Sequence, residues 1–393
     1  MTENRKVFRF LVFQEVVVKR VIEKAAVLSL SLMLVSTFSV SSALPKMMEY
    51  FADYSQAQVE LLLSVTSVAV MGMILLNTWL SGYVSERVSI ISGLVLLAGS
   101  GITPVFCQRY GIFLLSRIFL GVGIGLINAR AINMINERYA GEERAMLLGF
   151  RGSAEVMGNA VLTFAAGHLL LIRWNYAFLI YLMAVPILLL YLLFIPSKAA
   201  GKKVVPGSGQ KFSIGGHWRF VLVNAGLAWL FICINCSNTM RIPGLVLEKG
   251  YGTATDASTV LSLMLLTGMV SGFLFGILQH LLKEKLMPVA MLISGAGLLI
   301  IAQADSLTVL AVGAVLAGFA YSILTTCVFH RISVALPSDA VNPATSVILI
   351  GCNLGAASST LVLKLISVFS EAAEIPFLFY AVLLMGLVLY RKL

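Results

Sequence analysis

The chain has 393 residues, of which 59% are hydrophobic and only 12% charged, with a mean hydropathy of +0.95. An ordinary soluble domain carries about 25% charged residues, so a water-facing surface cannot be assembled from this composition. The formal net charge of +10 is not gathered into a basic face with interleaved aromatics, as nucleic-acid binding would require; the Lys and Arg lie in short hydrophilic segments between apolar runs.

In chain order, residues 1–24 come first. Arg5, Lys6, Arg9, Lys19, Arg20 and Lys24 alternate with Phe, Leu and Val, and the stretch lacks the uninterrupted apolar core and AxA-like cleavage site of a secretory signal. It is expected to be an uncleaved interfacial amphipathic helix on the cytoplasmic side. Apolar segments then fall at 25–44, 57–81, 89–107, 111–135, 145–169, 174–195, 219–240, 256–280, 286–304, 306–330, 342–366 and 373–390. At about 1.5 Å per residue such lengths suit a hydrocarbon core about 30 Å thick. The expected fold class is therefore an all-α polytopic membrane protein with twelve spans. With both termini inside, the inner segments hold nineteen Lys and Arg, and the outer ones hold six: Lys46, Arg109, Arg173, Arg241, Lys249 and Lys364. That asymmetry predicts a multi-pass protein of the cell (inner, cytoplasmic) membrane with cytoplasmic termini.

Residues 196–218, rich in Gly, Ser and Lys, divide six spans (25–195) from six (219–393) and read as a cytoplasmic linker. A shift of 198 lays Ala43-Leu44-Pro45 on Arg241-Ile242-Pro243 and Ser85-Glu86-Arg87 on Lys283-Glu284-Lys285; a shift of 197 lays Gly121 on Gly318 and Gly158 on Gly355. A common offset of half the chain predicts two parallel six-helix repeats with a substrate site between them near the midplane.

Within the fourth span, Ser116 to Gly125 reads SRIFLGVGIG. A dinucleotide loop would need a preceding strand and a GxGxxG spacing, and neither is present. Glycines in a spanning helix let a neighbour's backbone approach, so Gly121 and Gly123, with Gly158 and Gly355, are expected at helix contacts. Arg117 is too costly to face lipid and is expected to face the interior or a watered cavity.

The string Arg117-Ile118-Phe119-Leu120-Gly121-Val122-Gly123 resembles the RxxxGxG signature in span 4 of the major facilitator superfamily. Gly82-Tyr83-Val84-Ser85-Glu86-Arg87 resembles the first half of that superfamily's GxxxDRxGR[RK] loop, with Glu86 in the Asp position; beyond it, Ser89 stands where Gly is usual, and Ile90 and Ile91 where basic residues are. The connection Asn136 to Arg144 is similar to the superfamily's charged segment after span 4. The resemblance implies two pseudo-symmetric six-helix bundles, alternating access, a conformational-switch loop at Gly82, Glu86 and Arg87, and a monomer. The overall look is similar to bacterial drug:proton antiporters, although Ala154 to Ala160 keeps one Gly of their span 5 GxxxGPxxGG run and lacks its Pro and paired Gly.

Glu155 is the one carboxylate that the span assignment places near the midplane, with Arg130 and Arg151 as candidate cations. Two readings stand: a permanent ion pair pinning spans 4 and 5, or a group that binds protons or substrate. Glu155, Arg130 and Arg117 are the candidates for proton coupling. Asn128, Asn133, Asn235, Asn238 and Asn353 are candidates for a substrate cavity, with interhelical hydrogen bonds as the alternative.

Five cysteines lie in or beside apolar segments; buried packing is expected, and no metal or cofactor. There is no HExxH, GxSxG or P-loop and no extramembrane segment able to hold an ATPase. The sequence thus predicts no enzyme but a gradient-driven transporter, whose partners are a small-molecule substrate, protons and the lipid bilayer, with no nucleic acid. Efflux of a drug or metabolite by proton antiport, as in multidrug resistance, is the leading expectation. Import or facilitation of a small anionic solute is the alternative, favoured by three intramembrane arginines against one carboxylate. A non-transporting sensor or lipid-handling protein is more remote.

Overall fold

The computed structural model describes residues 21–80, 83–139, 141–195, 215–370 and 372–389, and among these there is helix but no strand. Twelve helices follow one another. They are α1 (Val21–Met33 and Ser36–Tyr50), α2 (Gln56–Leu80), α3 (Glu86–Phe106), α4 (Tyr110–Arg138), α5 (Gly141–Leu169) and α6 (Trp174–Phe194), then α7 (Trp218–Glu248), α8 (Ala254–Leu282), α9 (Leu286–Ala302), α10 (Leu307–Ala335), α11 (Ser338–Ser367) and α12 (Ile375–Leu389). Residues 1–20, Gly82 and residues 196–214 of the expected linker lie outside the described residues, whereas Gly215–His217 form a short turn leading into α7 at Trp218. The face at which α1 begins, α6 ends, α7 begins and α12 ends is termed proximal here, and the opposite face distal.

Local chemistry explains where the spans depart from straight rods. The halves of α1 meet at 48°, where Ser29 Oγ donates to Ala26 O at 2.8 Å and Ser36 Oγ to Met33 O at 2.7 Å. Serine hydroxyls that bond back to the preceding turn compete with the helix ladder and bend it. An apolar stretch of 49 residues, Ala254–Ala302, would be far too long for one crossing. It divides at Lys283, whose φ of 49° lies in the left-handed region. Several helices run further than the apolar periodicity indicated: α7 continues through Pro243 to Glu248. Arg241, assigned to an outer connection from its charge, is therefore a helical residue.

The apolar core is double. One buried cluster draws on α1 to α6 with Met240 and Leu363 added, and the other on α7 to α12. Glycine contacts repeat between them. A Cβ at Gly158 would strike the Leu32 backbone and one at Gly355 the Trp229 carbonyl; a shift of 197 carries one pair onto the other. Likewise Gly121 lies against Thr66 O, and Gly318 against Met264 O.

The two bundles meet where α2 packs on α11, α5 on α8, and α1 on α7 and α8. Three polar contacts cross this boundary in the distal half. Thr360 Oγ1 meets Ser64 Oγ at 2.9 Å, Ser262 Oγ donates to Ala160 O at 3.0 Å and Thr255 Oγ1 to Gly167 O at 2.8 Å. The boundary is sealed at the distal end.

Candidate functional site

On α5, Phe150, Met157, Val161 and Phe164 are all exposed and fall within one stripe at about 100° per residue, the lipid face. Glu155 lies on the opposite side of the helix, yet keeps 19% of its side chain accessible, and Arg151 keeps 14%. Both groups therefore face away from the lipid stripe while staying partly accessible. Glu155 is also the central residue of α5. Its Oε1 meets Arg151 Nη2 at 2.6 Å, and the same Nη2 donates to Asn128 Oδ1 on α4 at 2.9 Å. One guanidinium thus joins a carboxylate on its own helix to an amide on the next, and its Nε has no partner.

This arrangement chooses between the two cations considered from sequence. Arg151 pairs with Glu155, whereas Arg130 donates from Nη2 to Val84 O at 3.0 Å, in the connection between α2 and α3. Asn128 and Arg130 lie about 200° apart around α4, so one meets α5 while the other points away.

Arg117 is remote from this group. It is completely buried inside the N-terminal bundle, with its guanidinium carbon 4.8 Å from the Phe178 ring, 5.0 Å from Tyr181 and 5.6 Å from Phe113. Its Nη2 donates to Gly101 O at 3.2 Å, while Nε and Nη1 are unpartnered. A cation among three rings at these distances pins α3, α4 and α6 together.

The asparagines scatter. Asn235 and Asn238 border a space of about 10 Å³ inside the C-terminal bundle, next to Tyr321 and Ser294; it is too small for a solute. Asn353 donates to Leu349 O within its own helix at 2.9 Å. The side chain of Asn133 lies outside the described residues. Glu86 opens α3 behind the N-cap Ser85, 3.9 Å from Arg138, which also meets Glu23 of α1 at 3.2 Å; Arg87 donates to Ile195 O at 3.4 Å.

Sequence reasoning did not pair Glu60 with Arg241. Glu60, one turn into α2 and 1% exposed, meets Arg241 Nη2 of α7 at 3.1 Å across the bundle boundary. The signal available was a carboxylate near the distal start of the 57–81 run and an arginine just past the 219–240 run, at the distal ends of corresponding spans.

The sequence profile of the Major Facilitator Superfamily matches residues 26–359. The chain belongs to this superfamily. Superfamily members are transporters rather than enzymes, so the protein is a multi-pass membrane transporter of small solutes. The fold is similar to the crystal structure of a bacterial homologue of the human lysosomal transporter Spinster, in an inward-facing and unoccupied conformation, with a TM-score of 0.72, 14% identity and coverage of 94% of this chain and 95% of that one. It is also similar to a D-xylose–proton symporter, with a TM-score of 0.71, 17% identity and coverage of 93% and 96%. In sequence, 121 residues are 31% identical to the cyanate transport protein CynX of Escherichia coli (strain K12), a segment that spans 31% of each protein.

Proposed function

We propose that the protein is a proton-coupled secondary transporter that carries a small anionic solute between its two bundles by alternating access. The observation that carries this reading is Arg151, a guanidinium held between Glu155 and Asn128 on the side of α5 turned away from lipid. A guanidinium presents a planar set of donors that suits a carboxylate or a similar anion. A solute anion that takes the place of Glu155 requires that carboxylate to be neutralised, because a second negative charge beside it in a low-dielectric cleft is unfavourable. Proton binding at Glu155 and anion binding at Arg151 are thereby linked, and movement of the pair carries no net charge. The similarity to a protein named for cyanate transport supports an anion as the cargo. The distribution of Lys and Arg supports a cytoplasmic proximal face.

The test is flux into proteoliposomes under an imposed pH gradient, with cyanate and small monovalent carboxylates in one set and lipophilic organic cations in the other. The proposal expects uphill anion movement in the wild type, lost in both Glu155→Gln and Arg151→Gln. Gradient-driven movement of the lipophilic cations alone would replace it with drug efflux. Folded protein that moves neither set would overturn it.

A further inference from the structure

A cavity of about 450 Å³ opens at the proximal end of the C-terminal bundle, with walls from α7, α8, α9, α10 and α12 and none from the N-terminal half. Neither Arg151 nor Glu155 lines it. Its polar rim carries Lys283, Glu284, His330 and Arg331, and its depth is apolar, with Met291, Cys327 and Leu387 among the lining. Cys327 lies two turns inside the α10 end, so the cavity reaches about 12 Å along that helix at about 1.5 Å per residue.

The pseudo-symmetry of the chain shows what this place holds in the other half. In the N-terminal bundle, Arg138 at the end of α4 is neutralised internally, with Glu23 of α1 at 3.2 Å and Glu86 of α3 at 3.9 Å. A shift of 197 carries Glu23 to Phe220, and the end of α4 to the end of α10, where Arg331 stands one turn inside the equivalent of Arg138. The carboxylate has become a phenyl ring. Arg331 rests over Phe220 at 5.8 Å and donates from Nη1 to Met287 Sδ at 3.4 Å; among the described residues it has no carboxylate within ion-pair distance, Glu284 included. One bundle supplies its own anion at this position. The other keeps Glu284, the equivalent of Glu86, on the rim but beyond ion-pair distance of Arg331, and adds Lys283, a ring and a cavity.

We propose that this cavity binds the headgroup of an anionic phospholipid, with the phosphate against Arg331 and Lys283 and the first methylenes along the apolar wall. A free phosphate would satisfy the cations but not that wall. Val334, Ala335, Lys283 and Glu284, which line the cavity, are all exposed, so the mouth opens at the proximal end of the bundle, where the headgroup layer lies in a membrane. Basic pockets between helices at the membrane boundary suit such headgroups.

The experiment uses the full-length protein purified in neutral detergent, with dioleoyl phosphatidylglycerol, dioleoyl phosphatidylcholine or inorganic phosphate added separately. Lipid retention is read by native mass spectrometry and protection by thermal unfolding. The wild type should retain phosphatidylglycerol in preference to phosphatidylcholine and unfold at a higher temperature with it. Arg331→Gln should weaken retention about fivefold, and Lys283→Gln similarly, while Arg331→Lys keeps the charge and recovers part of the loss. Should Arg331→Gln not fold, Val334→Trp narrows the exposed mouth with every charge kept and should reduce retention as well. Equal retention of the two lipids, unchanged retention in the folded variants, or full protection by phosphate alone would each overturn the proposal, the last by showing a small-anion site instead.

Discussion

Glu60 of α2 and Arg241 of α7 meet at 3.1 Å across the boundary between the two bundles, with the carboxylate almost wholly buried. The contact belongs to the distally sealed arrangement, and any opening at that end must break it. Removal of one member of a buried pair strands the other charge, typically at about 3–5 kcal/mol. Stranding acts against the sealed state, since an opened distal end hydrates the remaining charge. Glu60→Gln and Arg241→Gln are therefore each expected to shift the population towards a distally open form. Faster thiol labelling of a cysteine at Thr360 in these backgrounds checks this, and the double variant should be milder than either single one. Equal labelling rates in all four proteins would show that the pair does not hold the gate.

Close helix contacts give a second expectation. A Cβ at Gly123 would stand 2.7 Å from Gly93 O and one at Gly297 2.7 Å from Gly313 O, both backbone atoms that cannot rotate aside. Even alanine is thus oversized at these positions, and a loss of about 1–3 kcal/mol is expected for Gly123→Ala, in line with overpacked cores. Gly99→Ala and Gly111→Ala, with nothing within 4 Å of the added atom, should leave the unfolding temperature in detergent unchanged. Similar behaviour of Gly123→Ala and Gly111→Ala would contradict the contact.

The twelve helices, the two halves and the glycine contacts were legible in the sequence because each is local: apolar length, charge in connections, and a residue without a side chain. Partners across helices were not. Arg130 and Arg151 are equally plausible cations for Glu155 in the sequence, yet helical rotation turns Arg130 to Val84 O and brings Asn128, two residues earlier, to Arg151. Arg241 looked like a loop residue because a hydropathy window ends at a charge, whereas the helix itself continues, as a buried carboxylate on another helix compensates that charge. Which faces meet is a tertiary property, and no periodicity within one span encodes it.

Arg117 and Arg151 should separate as a structural and a transport residue. Arg117 touches three rings and a carbonyl inside one bundle, and desolvated cation–π contacts are worth about 2 kcal/mol or more. Arg117→Gln is expected to lower the unfolding temperature while the pH dependence of transport by the remaining folded protein keeps its shape. A changed pH profile at an unchanged unfolding temperature would instead make Arg117 a coupling residue.

The last expectation concerns Glu155 itself. Its carboxylate is central in α5, turned from lipid, still accessible, and bound to Arg151 at 2.6 Å. Glu155→Gln keeps the shape and a hydrogen-bonding oxygen for Arg151 but has no proton to exchange. Uphill movement on a pH gradient should fall to background, while downhill exchange of the solute across the membrane continues, because Arg151 is then permanently free of a competing negative charge. Arg151→Gln should lose both, since the solute's own cation is gone. Arg130→Gln, which removes a donor to Val84 O rather than a partner of Glu155, should retain the coupling. The decisive comparison is therefore uphill against downhill flux in the three variants. Normal uphill transport by Glu155→Gln would reduce the pair with Arg151 to a structural clasp and leave the cleft without its coupling group.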